Sequence, residues 1–86
     1  MVIRFGDIYG KDVINSDTGS FIGTVEDLEF DRETAQILAL VVRAKPGFFG
    51  LFGRGNETII ELRDIGVIGE DAVLVRFSRL ENRSYY

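Results

Sequence analysis

Apolar and polar positions between Gly19 and Arg43 predict one antiparallel hairpin. Two glycines stand at its entry (Gly19, Gly23), and a charged turn, Asp31-Arg32-Glu33-Thr34, divides it. The run Ile37-Leu38-Ala39-Leu40-Val41-Val42 follows, with no charge between Gln36 and Arg43. A β-branched, aliphatic strand of this kind wants cover on both faces. One set, Ile37, Ala39 and Val41 or Leu38, Leu40 and Val42, fills an interior. The other needs a terminus, a loop or a second subunit, because an exposed apolar stripe invites aggregation.

The strand before the turn, Phe21 to Phe30, breaks its own period. Phe21, Gly23 and Val25 share one face by alternation, whereas Leu28 and Phe30 fall on the other parity. One extra residue near Glu26 and Asp27 puts Val25, Leu28 and Phe30 on the same buried face. That pattern predicts a β-bulge, which bends a strand where a barrel turns a corner. Gly23 in mid-strand predicts tight bending or close backbone approach.

Elsewhere the signals are shorter. Phe5, Ile8 and Tyr9 stand at i, i+3 and i+4, predicting one helical turn that lays aromatics on the core, with Tyr9 buried. Asp12 to Asn15 reads as a first strand, and Asn15-Ser16-Asp17-Thr18-Gly19 as a turn. Glu57 to Leu62 alternates as a strand with Ile60 and Leu62 on one side. Arg63 to Gly66 reads as a tight turn, and Val67 to Asp71 ends in turn chemistry at Gly69. Ala72 to Phe77 reads as the last strand.

The segment Lys45 to Gly55 carries four glycines and the single proline, so it reads as loop, yet it holds Phe48, Phe49, Leu51 and Phe52. Large apolar side chains on such a backbone need a destination. Three readings follow, in descending order: the aromatics cap an open barrel end, dock to another chain, or insert shallowly into a membrane surface between Lys45 and Arg54. The glycine spacing matches neither a Walker loop nor a dinucleotide-binding motif.

Composition narrows the chemistry. At 86 residues the chain makes one domain, taken as 1–80 with a tail at 81–86. It has no Cys and no His, hence no disulfide and no thiolate or imidazole metal site. The net charge of −4 argues against broad binding to nucleic acid, although Arg76, Arg79 and Arg83 gather near the end. The first residues do not read as a signal peptide, and no apolar run approaches the roughly 20 residues of a membrane helix. The expected location is the cytoplasm. Glu26, Asp27, Glu29 and Asp31 could be read as a cation site or acid/base pair, but alternation turns Glu29 and Asp31 outward; a solvated, aggregation-resistant edge is the stronger reading. No nucleophile motif is present.

The ordered set of these residues resembles a known family. Gly10-Lys11-Asp12-Val13 and the spaced Asp17, Gly19, Gly23, Val25, Asp27, Leu28, Phe30 and Asp31 are similar to the front half of PRC-barrel domains. Ile37 to Val42, the Gly/Phe-rich loop, Ile60-Glu61-Leu62, and Ile65 through Val75 with Gly69-Glu70-Asp71 are similar to the back half. The likeness is greatest to stand-alone members in archaea and in sporulation-associated proteins of Gram-positive bacteria. Ala35 stands where the family often has Gly, predicting a different turn geometry, and Glu61-Leu62 stand where it often has Pro-Trp.

What the resemblance implies is an all-β fold, a small, strongly bent antiparallel β-barrel of about six strands, frequently dimeric. It implies no catalytic residues and no cofactor. Relatives include a cytoplasmic domain of the photosynthetic reaction centre H subunit, the ribosome-binding half of a 30S maturation factor, and adaptors in archaeal cell division. The expectation is therefore a non-enzymatic adaptor, homodimeric, that binds a further protein through the barrel surface or the Phe48–Phe52 loop. An RNA- or ribosome-associated factor is the alternative.

Overall fold

The elements run, in chain order, α1 (Phe5–Ile8), β1 (Asp12–Asn15), β2 (Phe21–Phe30), β3 (Ile37–Ala44), β4 (Glu57–Glu61), a 3-10 turn (Leu62–Asp64), β5 (Ile65–Ile68) and β6 (Ala72–Val75). The computed structural model describes residues 1–45 and 56–76. The protein is all-β, and the six strands among the described residues form one sheet ordered β4-β3-β2-β1-β6-β5.

Among the described residues no sixth ladder closes the sheet, yet it is strongly curled. Laid flat, its two edge strands would sit about 24 Å apart, five spacings of about 4.8 Å. Glu61 at the end of β4 and Ile65 at the start of β5 are four residues apart in sequence, a reach of at most about 14 Å. Only a sheet rolled toward a barrel brings its edges that close. One pair departs from the antiparallel expectation: β1 and β6 run parallel, from Asp12 opposite Ala72 to Asn15 opposite Val75. No short hairpin joins these two strands, so nothing local dictates their direction.

Irregularities in β2 produce the curl. Against β3 the register jumps from Val25–Val42 to Asp27–Val41, so Glu26 is an extra residue. The Glu26 carboxylate pairs with Arg43 across the strands. Against β1 the register jumps from Val13–Gly23 to Ile14–Phe21, leaving Ile22 as a second extra residue. This second bulge corrects the simple alternation read from sequence: Phe21 is exposed, while Ile22 and Val25 are fully buried. Leu28 packs on the core beside Val25 as expected, but Phe30 is 57% exposed. A third shift, between Glu29–Ala39 and Phe30–Ile37, makes Leu38 an extra residue and releases the end of the hairpin from the core.

The core comprises Ile8, Val13, Ile22, Val25, Leu40, Val42, Ile60, Val73 and Val75. On the opposite face of β3, Ala39 and Val41 are also buried, Val41 at 7% exposure, within the single chain. The two-sidedness of β3 thus gives no exposed stripe at mid-strand, and it is no argument for a second subunit.

Turn chemistry sets the connections. Gly19 has φ +76°, its N–H donating to the Asn15 carbonyl at 2.7 Å, while the Asp17 N–H donates to Asn15 Oδ1 at 2.9 Å. In the β2–β3 turn Asp31 Oδ1 accepts from the N–H groups of Glu33 (2.9 Å) and Thr34 (3.3 Å). Ala35 then takes φ +62° and donates to the Asp31 carbonyl at 2.7 Å. The turn therefore keeps the left-handed residue that Gly would serve, contrary to the altered geometry expected from Ala. The departure shows up as strain, since Cβ disfavours that region by about 1–2 kcal/mol. Ala35→Gly should raise stability by about 0.5–1 kcal/mol, part of the relieved strain being offset by the freer unfolded chain; an unchanged or lower denaturation midpoint would count against this strain.

Candidate functional site

Among the described residues, one end of the rolled sheet is only partly covered. The N-terminal segment enters α1 as the Asp7 N–H donates to the Arg4 carbonyl (2.9 Å) and the Arg4 N–H donates to Asp7 Oδ2 (3.0 Å). This turn sets Ile8 into the core and Phe5 against it. Tyr9 was expected to be buried; it is 62% exposed, its ring edge-on to Phe5 at 5.9 Å. The four-residue helix ends at Ile8, and Tyr9 lies with Gly10 (φ +80°) in a turn closed by the Lys11 N–H donating to the Ile8 carbonyl at 3.0 Å, its ring outside the core.

Between this segment, the β2–β3 hairpin and β5 lies a cleft of about 130 Å³. Ile8 and Leu40 are its buried members, joined by Phe5, Leu28 and Ile65. Ile3, Ile37, Leu62 and Ile68 line it while exposed to solvent. Arg4 is the single charged residue in its lining. The local chain path explains why the apolar rim stays open. Leu62 would lie inward beside Ile60 if β4 continued, as alternation suggested. The 3-10 turn begins at Leu62 instead and leaves it 47% exposed. The extra residue Leu38 shifts the end of β3, so Ile37, rather than Leu38, lines the cleft with Leu40. A second, shallower depression of about 290 Å³ adjoins it through Ile3 and Ile68, with Asp7, Lys11 and Glu70 in its wall. There Lys11 Nζ donates to the Gly69 carbonyl at 2.8 Å, tying the β5–β6 turn to the N-terminal segment.

The other residues singled out from sequence have structural places. Gly23 lies where a Cβ would meet the β3 main chain, 2.9 Å from Ala44 Cα. Gly69 donates its N–H to the Ala72 carbonyl at 2.9 Å in the β5–β6 turn. Glu26 is paired, and Asp27 Oδ1 accepts from the Leu28 N–H at 2.8 Å. Among the described residues no group of three or more acidic, His or Cys side chains could hold a metal. The partner-binding candidates Phe48, Phe49, Leu51 and Phe52 lie outside the described residues, as do Arg79, Arg83 and residues 81–86.

Sequence reading missed the cleft, because Ile3, Leu62 and Ile68 come from separate elements that only the curled topology gathers. It also missed the fully buried Asp64 and Thr58. The departure at Glu61-Leu62 was the one signal pointing toward this wall.

The PRC-barrel domain family matches residues 1–81 of the chain. The chain is 34% identical over 77 residues to "Probable sporulation protein YlmC" of Bacillus subtilis, covering 90% of this chain and 95% of that protein. It is also 34% identical over 70 residues to an uncharacterized protein of Clostridium acetobutylicum, covering 80% and 78%. Among the described residues no helix is long and apolar enough to cross a membrane.

Proposed function

The chain belongs to the PRC-barrel domain family, and on that premise we propose that it is a non-enzymatic adaptor of the cytoplasm whose partner protein docks at the open end of the rolled sheet. The observation that carries this reading is the cleft: a mouth of exposed aliphatic side chains, Ile3, Ile37, Leu62 and Ile68, around a buried apolar floor. Exposed apolar surface gathered around a recess marks interaction sites, where a central anchor is ringed by contacts that exclude water. A volume of about 130 Å³ falls below the roughly 300–1,000 Å³ of small-molecule pockets. Its lining offers one guanidinium and no carboxylate, hydroxyl or amide for acid–base work. The relative's name, a sporulation protein, directs the search for the partner to sporulating cells.

A Leu62→Asp plus Ile68→Asp variant tests this. Both residues are exposed at the mouth of the cleft, Leu62 at 47% and Ile68 at 41%, so the fold should survive, as circular dichroism would show. Tagged wild type purified from its own cell should retain a protein in stoichiometric amount that the variant loses at least tenfold. Equal recovery by a folded variant would remove the cleft as the docking surface. No described basic patch favours the ribosomal alternative: Arg43 pairs with Glu26, and Lys11 is held by Gly69.

A further inference from the structure

The cleft carries a size and a charge that together describe its occupant. A cavity of about 150 Å³ lined by aliphatic and aromatic side chains accepts a benzene molecule, and this recess measures about 130 Å³. It therefore has room for one large side chain. Its lining is hydrocarbon throughout except for Arg4. Among the described residues ion pairs join Arg43 to Glu26 and Arg63 to Glu61, and neither engages the Arg4 guanidinium. Asp7, the nearest acid in sequence, is held by the Arg4 backbone N–H. A cation beside an apolar recess favours an occupant with an anion next to its apolar group. The protein's own charge of −4 opposes a long acidic tract, so a single carboxylate suits the site better.

We propose that the cleft takes one large apolar side chain of a partner polypeptide, seated against Ile8, Leu28 and Leu40, whose neighbouring residue sets a carboxylate on the Arg4 guanidinium. The proposal rests on the adaptor reading and gives its partner's chemistry.

The test is a nuclear magnetic resonance titration of the labelled full chain with N-acetylated peptide amides of glycine and serine. These carry, at their centre, phenylalanine–aspartate, phenylalanine–asparagine, alanine–aspartate or phenylalanine–lysine. The phenylalanine–aspartate peptide should shift the methyl signals of Ile8, Leu28, Leu40 and Ile65 saturably. It should bind about fivefold tighter than the asparagine peptide, the upper range for a partly exposed ion pair. The alanine peptide should not saturate. Arg4→Glu, a change at an exposed position, should reverse the preference toward the lysine peptide. Equal affinity for the aspartate and asparagine peptides overturns the carboxylate. No saturable shift at about 10 mM, weaker than any useful anchor, overturns the anchor itself. Methyl shifts that follow protein concentration without peptide would assign the cleft to a second copy of the chain, and also overturn the proposal. If peptides fail while Leu62→Asp plus Ile68→Asp still abolishes partner recovery, only this chemistry falls; if recovery is also unchanged, the adaptor site falls with it.

Discussion

Gly23→Ala should sharply lower the melting temperature of the domain. A Cβ at this position would lie 2.9 Å from Ala44 Cα and closer still to the Arg43 carbonyl oxygen. Both atoms are β3 main chain, paired with β2 through Gly23–Ala44 and the Lys45 N–H to the Ile22 carbonyl at 2.9 Å. A side-chain tip could rotate away; a ladder cannot move without parting the hairpin. Overpacking into movable surroundings costs about 1–3 kcal/mol, and this backbone clash should cost about 3 kcal/mol or more. A domain of this length has only about 4–13 kcal/mol in total, and each kcal/mol is worth about 4–8 °C. The melting temperature should fall by about 12 °C or more. Gly66→Ala is the control: its Cβ would make ordinary contact, 3.5 Å from the Leu74 carbonyl oxygen, and should cost about 1 kcal/mol or less. Equal melting of the two variants would contradict the close approach.

Deleting Glu26 should be comparably damaging, while Glu26→Gln should be mild. Glu26 is the residue that lets Val25 and Leu28 face the same core across an odd spacing. Without it the strand can pair in plain alternation, Val25–Val42, Asp27–Val41 and Leu28–Leu40, with Val25 and Leu28 still inward; what is lost is the bend that curls the sheet and draws β4 and β5 together. The deletion should flatten the sheet and part the core between its ends, raising dye binding and destabilising the fold by about 3 kcal/mol. Glu26→Gln keeps the bulge and loses only the pair with Arg43, whose side chain is more than half exposed; such pairs are worth about 1 kcal/mol or less. A deletion no worse than the Gln variant would mean that the bulge does not produce the curl.

The contrast between these two changes also explains what the sequence could reveal. The Glu26 bulge was legible because Val25 and Leu28 are both apolar on opposite parities. The bulge at Ile22 was not, because Phe21 is apolar too and alternation with Gly23 and Val25 looked unbroken. Turn chemistry announced Gly19 and the acidic turn, whereas the left-handed Ala35 was hidden by its residue type. The parallel β1–β6 pair depends on how non-adjacent segments meet, which no local pattern records. The cleft belongs to the same class. Its members are mostly aliphatic residues from the N-terminal segment, the β2–β3 hairpin and the stretch from Leu62 to Ile68, each unremarkable alone, and they become a site only when β4 and β5 are drawn together by the three-residue turn at Leu62–Asp64.

That gathering also moves the weight of the interaction argument. Apolar residues on the outer face of β3 looked like the surface awaiting a neighbour, but Ala39 and Val41 are covered within one chain. The unsatisfied surface is at the end of the sheet, where Leu62, Ile68, Ile37 and Ile3 face solvent around Arg4.

Photocrosslinking in the native cell from a benzoyl-phenylalanine placed at position 62 tests that placement most directly. The account predicts one dominant adduct with a different polypeptide, absent when the same group stands at exposed Glu33 on the hairpin tip. Adducts of equal yield from both positions, or from position 62 only with another copy of this chain, would contradict it.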